Sequence, residues 1–220
     1  MNSVFYWPTI AVFASVLAVS GVHDAGAQNR VRMEPRPAAG GPAAGGAATG
    51  GGIIRLRDLT GMGARGIVRT PVYSASVSGG RATALDWAEL TVQFDSEPEW
   101  IDELSFQYFA LLYSRATREY TLLKGAATYV DVARGRGHLS SAFIRPNTLA
   151  RYGEVLAVAV EVILKGETVG TLSEGKNAER KPLPETWWKN EKLIPKDGCI
   201  LNRAQTPFAF INVDDYEAIK

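Results

Sequence analysis

A histidine beside serines is the first pattern in this sequence that could do chemistry. His138 stands two and three residues from Ser140 and Ser141, and the only other histidine, His23, lies in the N-terminal stretch. In an extended strand, residues two apart share a face, so His138 and Ser140 would come close together. Hydrolysis needs more than proximity. An acid must orient the imidazole and donors must hold the oxyanion, and neither these nor a Gly-x-Ser-x-Gly elbow is evident. The expectation is a strand-edge histidine, and no catalytic residue is assigned. The single cysteine, Cys199, reads as a small buried hydrophobe.

Other constellations are incomplete. With His23 in the N-terminal stretch set aside, one histidine and one cysteine cannot make a tetrahedral zinc site, so no metal or cofactor is expected. Asp95, Glu97, Glu99, Asp102 and Glu103 could gather oxygen ligands for calcium, but without a glycine-spaced loop they read as a solvated connection. Gly61, Gly63 and Gly66 have the Gly-x-Gly-x-x-Gly spacing of a dinucleotide cradle without a surrounding βαβ unit. Trp187-Trp188, set among Lys189, Glu191 and Lys192, is the aromatic pair that reads as most exposed. Indole faces stack on sugars or anchor protein interfaces, which makes Trp187 and Trp188 the candidate partner or glycan contacts. The same rings could instead fold the C-terminal tail onto the body.

Charge narrows the partners. The 24 Lys and Arg against 23 Asp and Glu give a net charge of +1, and residues 1–27 hold only Asp24 among these, so their removal leaves +2. Neither nucleic acid nor an anionic membrane is implied. Val4 to Val19 is nearly all apolar or small and Ala25-Gly26-Ala27 has the small residues of a cleavage site, so residues 1–27 read as a signal peptide and the mature chain as exported, with no membrane span. No Lys or Arg precedes the apolar run. Residues 28–52, with Arg30, Arg32, Arg36 and a run of Ala, Gly and Pro, have little side-chain surface to bury and read as a flexible linker.

From Ile53 onward short apolar runs alternate with turn residues, the pattern of antiparallel strands. Glu154 to Leu164 is its centre: Leu156, Val158, Val160, Val162 and Leu164 form one apolar face, while the other is interrupted only by Glu161. Such a strand needs neighbours on both edges and a layer above it. Lys165-Gly166 should turn it into a hairpin ending near Leu172. Upstream, Ile53 to Arg57 and Ile67 to Val77 are candidate strands, and Ala88, Leu90, Val92 and Phe94 alternate with polar residues. Glu97-Pro98-Glu99 should turn the chain before Leu104 to Tyr113. Glu119 to Leu123 and Ala127 to Ala133 form a pair with a bulge at Lys124-Gly125, and Arg134 to Gly137 turns into His138 to Ile144. Asn147 should cap a short helical turn reaching Tyr152. Seven or eight strands between residues 53 and 173 imply an all-β antiparallel sandwich, with an immunoglobulin-like Greek key preferred. Without a cysteine pair, Trp87, Trp100, Tyr108 and Phe109 are the candidates to fill its centre. The loop from Lys176 to Pro184 should be exposed, and the apolar residues from Cys199 to Lys220 should pack back on the sandwich.

That tail also carries a resemblance. Leu201-Asn202-Arg203-Ala204-Gln205-Thr206-Pro207-Phe208-Ala209, followed by Asp215-Tyr216-Glu217, resembles the closing segment of secreted proteins from Verrucomicrobia, some encoded beside type IV pilus machinery in Akkermansia. The resemblance implies an immunoglobulin-like fold, no enzymatic activity and a role in pilus assembly or surface contacts. It transfers no functional positions. The resulting expectation is a signal peptide (1–27), a linker (28–52) and one sandwich domain (53–220) with a C-terminal extension (174–220). That domain would be a non-enzymatic secreted or periplasmic protein binding a protein partner in the envelope or pilus, with a carbohydrate-binding module as the alternative.

Overall fold

Two runs of alternating apolar residues are each long enough to cross a domain twice, and both do. The computed structural model describes residues 52–71 and 84–220. In it β1 spans Ile54–Thr60, β2 Ile67–Arg69, β3 Asp86–Ser114 and β4 Glu119–Ile144. A helix, α1 (Pro146–Tyr152), leads into β5 (Glu154–Leu164) and β6 (Glu167–Gly175), and the tail adds β7 (Ile200–Asn202) and β8 (Ala218–Ile219). The main path of the sheet runs β6-β5-β3-β4-β7, with β1 and β2 on the first part of β3 and β8 on β4. All the ladders between these strands are antiparallel.

Strands β3 and β4 fold the sheet back over itself. Phe94 and Phe106 are twelve residues apart, about 40 Å along a straight strand, yet their ring centroids lie 4.9 Å apart. The reversal occurs where the β3–β4 register shifts twice, between Phe94 and Trp100, around Pro98, which has no N–H to donate. Leu90, Val92 and Phe94 on one half then face Leu104, Phe106, Tyr108, Ala110 and Leu112 on the other, and all are fully buried in one core with Val158, Val160 and Val162. A polar clasp crosses this core. The Tyr108 hydroxyl lies 2.6 Å from Ser140 Oγ, and Ser141 N–H donates to the Tyr129 hydroxyl at 3.1 Å. Burial raises the pKa of both phenols, keeping them neutral hydrogen-bonding groups.

The expected all-β antiparallel fold is therefore present, with layers made by bending one sheet. Glu97 to Glu99 and Arg134 to Gly137 do not end strands; they are the bends within β3 and β4. The bulge expected at Lys124-Gly125 is absent, because the ladder runs unbroken there. Gly125 serves another purpose: a Cβ on it would meet Ile200 of β7 at 2.6 Å, so glycine lets the tail strand lie close. Arg145, not Asn147, precedes the helix, which starts on Pro146, where a missing N–H is harmless. Of the four aromatics assigned to the centre, Tyr108 fills it, Trp87 and Phe109 pack in separate clusters, and Trp100 is exposed. The proposed strand from Ile67 extends to Arg69, and its continuation to Val77 runs past the described residues. The signal peptide (1–27) and all but Gly52 of the linker (28–52) also lie outside them. No helix among the described residues is long and apolar enough to cross a membrane.

Candidate functional site

The bend of the sheet brings together His138, Ser96 and Glu217, which are remote in sequence. His138 Nε2 lies 3.2 Å from Ser96 Oγ, and Nδ1 lies 2.7 Å from Glu217 Oε1. The ring stacks on Phe94 at 5.1 Å. This looks like a serine, a base and an orienting acid, but the serine's hydrogen bonds forbid that role. Ser96 Oγ donates its one proton to the carbonyl of Ala133 at 2.6 Å and accepts from Gly135 N–H at 3.0 Å, inside the bend. Nε2 must then donate to Ser96, while Nδ1 faces a carboxylate. His138 is thereby a clamp between the bend and the tail. Ser140 and Ser141 are bonded to Tyr108 and to Thr91 and Tyr216, so their hydroxyls are engaged in the fold.

Trp187 and Trp188 occupy a single turn of 3-10 helix and are each only 5% exposed. Of the two readings the sequence left open, this is the one in which the rings fold the tail onto the body. They cover the outer face of β3 and β5 at Phe109, Leu111, Ala157 and Ala159. Trp188 Nε1 donates to Glu161 Oε1 at 3.0 Å and Lys189 Nζ lies 2.8 Å from the same oxygen, which accounts for the one buried charge in the central strand. Edges of both indoles line a shallow hollow of about 210 Å³ between β6 and residues 182–185, but neither ring offers a free face.

Of the acidic candidates, Asp95 and Glu103 have structural partners. Asp95 accepts from Arg57 Nε at 2.7 Å and from Gly137 N–H at 3.0 Å. The Arg57 hydrogen bond chiefly holds its carboxyl below the usual range. Glu103 pairs with Lys220 at 2.5 Å. Among the described residues, no three His, Cys, Asp or Glu side chains are placed to hold a metal ion. Gly61 and Gly66 are packed against each other and against Leu90 in the β1–β2 connection, where a Cβ on Gly66 would fall 2.4 Å from Gly61. Close packing accounts for that spacing. Cys199 is a half-buried free thiol against the core.

What stays open is the end of the molecule at the bend. Trp100 is 63% exposed there, the one described tryptophan with an uncovered ring. With Ile53, Pro98, Ile101 and the β5–β6 turn at Lys165-Gly166 it forms an open groove of about 530 Å³. Glu97, Glu99, Asp102 and Glu103 are exposed around it. The groove can bind by apolar contact and by charge. Sequence reasoning placed Trp100 inside; the usable signal was its setting, since Pro98 and four acids within residues 97–103 break the alternation that buries a strand face. Ser96 and Glu217 gave no comparable signal, because only the fold brings them to His138.

A family model matches residues 65–220. No curated relative matches the chain. A crystal structure of a protein from Akkermansia muciniphila is similar over 79% of this chain and 98% of its own, with a TM-score of 0.60 and 20% identity, a likeness that shows the fold. The segment that carried the resemblance in the tail lies wholly within the matched residues. The chain belongs to the family whose model spans residues 65–220, an Akkermansia-type family of antiparallel β proteins.

Proposed function

We propose that this protein is a non-enzymatic contact module of the cell envelope, working in a pilus or other surface assembly through the groove around Trp100. One observation carries the reading: an exposed indole stands in an open groove of about 530 Å³, while the histidine and its nearest serine are tied into the fold. Large aromatic side chains at an open surface are typical anchors of protein interfaces, because they bury much area with little loss of side-chain entropy. Membership of an Akkermansia-type family supports the same class of role. The test is capture from envelope extracts on the immobilised full chain, compared with Trp100→Ala. A partner retained by the wild type and lost with the variant is expected. No partner, or equal capture by both, overturns the reading.

A glycan is the second reading, now at Trp100 rather than at Trp187 and Trp188, because a sugar ring could stack on this indole beside carboxylates that accept from hydroxyls. The other described indoles are buried, so a change in tryptophan fluorescence would report on Trp100. Emission unmoved by a glycan panel removes this alternative.

A further inference from the structure

A second exposed apolar feature lies in surroundings of the opposite sign. Ile194 is 82% exposed on the segment between Trp188 and β7. Lys192 and Lys196 flank it in the sequence. Nearby, the Tyr152 ring carries Lys196 Nζ at 4.7 Å and the Arg151 guanidinium at 5.0 Å. The segment is not a loose end. Lys196 N–H donates to the Leu122 carbonyl at 2.8 Å, and Lys124 N–H donates to the Lys196 carbonyl at 2.9 Å, which fixes the chain to the edge of β4 two residues after Ile194. Leu193 packs beneath, against the cluster that holds Trp187 and Trp188. Ile194 is thus a supported apolar knob in basic surroundings, and the Trp100 groove is an apolar socket ringed by Glu97, Glu99, Asp102 and Glu103. Lys165, Lys220 and Arg134, which donates to the Glu97 carbonyl at 2.6 Å, lie at the socket, and Glu191 and Asp197 lie at the knob; they reduce these two signs without reversing them.

The two features are far apart on one molecule. Trp100 pairs with Ala133 and Lys196 bridges to Leu123, ten residues along β4, roughly 33 Å at the rise of a strand. A chain cannot fill its own groove with its own anchored knob. We propose that the groove around Trp100 receives Ile194 and its lysine surround from a second copy of this chain, head to tail. This inference rests on the contact-module reading and names the partner. The surfaces that meet are different, so a pair keeps one knob free on one copy and one socket free on the other, and the contact propagates into a chain or closes into a ring. Part of the attraction is between exposed charges, and a Debye length of about 8 Å at physiological salt weakens it. Association should therefore be strongest at low ionic strength.

Sedimentation velocity of the full chain tests this at low and high salt. The weight-average sedimentation coefficient should rise with concentration at low salt, and the rise should shrink as salt is added. Trp100→Ala removes the socket and Ile194→Glu removes the knob, and each should weaken self-association at least about tenfold. Both side chains are largely exposed, so the melting temperatures should stay within a degree or two of wild type, which separates lost contact from lost fold. The decisive sample mixes the two variants. Trp100→Ala still offers a knob and Ile194→Glu still offers a socket, so the mixture should form dimers and stop there, while each variant alone stays monomeric. A wild type that remains monomeric at all concentrations and salts, or variants that associate as the wild type does, would overturn the inference. If self-association fails while Trp100→Ala still abolishes capture of an envelope partner, the contact-module reading stands and only the identity of the partner falls. If both fail, both fall.

Discussion

Asp95 shows how a residue that reads as a ligand candidate becomes part of the frame. The carboxylate is buried at the first register shift of β3 and bonded to Arg57 of β1 and to the backbone of Gly137 in β4, so it ties three strand segments together where the ladder is weakest. These partners hold its pKa below the usual range, the Arg57 hydrogen bond foremost and the charges of Arg57 and Arg136 in the same direction. The sign of the pH dependence follows. The folded state favours the ionised form, so the stabilisation is complete above the unfolded carboxyl range near ~3.9 and is lost as pH falls through the lower folded value. Asp95→Asn should therefore be clearly less stable than wild type at pH 6, and the gap between their urea midpoints should narrow as pH falls below the unfolded carboxyl range. A gap that persists in acid would mean that the charge of Asp95 is not what holds the bend.

At the scale of elements, close approach matters as much as hydrophobic pattern. β7 sits on β4 through Ala142, Phe143 and Ile144, and its first residue, Ile200, reaches across to Gly125 farther along the folded-back β4. Gly125→Ala would place a Cβ 2.6 Å from both the Ile200 side chain and its carbonyl, so β7 must shift. Overpacking of this kind costs about 1–3 kcal/mol. A matching drop in the urea midpoint is expected, and an unchanged midpoint would show that β7 does not lie there. The same contrast separates what the residues revealed from what they hid. β5 and its hairpin were legible because every second side chain from Val158 to Val162 faces the core and Lys165-Gly166 supplies a left-handed turn. The bends were misread as turns because Pro and Gly interrupt a strand in the same way whether it ends or folds back. Whether pairing resumes beyond the break depends on the partner strand, and partner strands are nonlocal. The exposed end suffered from the same limit, since Trp100 is outside only because β3 reverses beside it.

For the whole molecule, the tail is part of the fold. Trp187 and Trp188 cover the outer face of β3 and β5, and Phe208 stacks on Phe143 at 4.8 Å and meets Trp87 edge-on at 5.7 Å over the outer face of β3 and β4. The residues of the family resemblance build this cover. Asn202 and Gln205 form a reciprocal capping box, Arg203 lies 3.8 Å from the centre of the Tyr216 ring and donates to the Phe208 carbonyl, and Glu217 closes on His138. The motif is thus a closure, which explains why it is recognisable without containing a reactive group. Four of the tail side chains, Trp187, Trp188, Ile200 and Phe208, are nearly fully buried. At about 1.5–3 kcal/mol each they contribute roughly 6–12 kcal/mol before entropy is counted. The net stability of a whole domain is about 5–15 kcal/mol, so a chain ending after Gly175 has no margin left. Such a truncated protein should be recovered as aggregate or bind a hydrophobic dye strongly, with its two outer apolar faces bare. A soluble, cooperatively melting product would show that the folded-back sheet stands alone and that the tail acts only as an attachment.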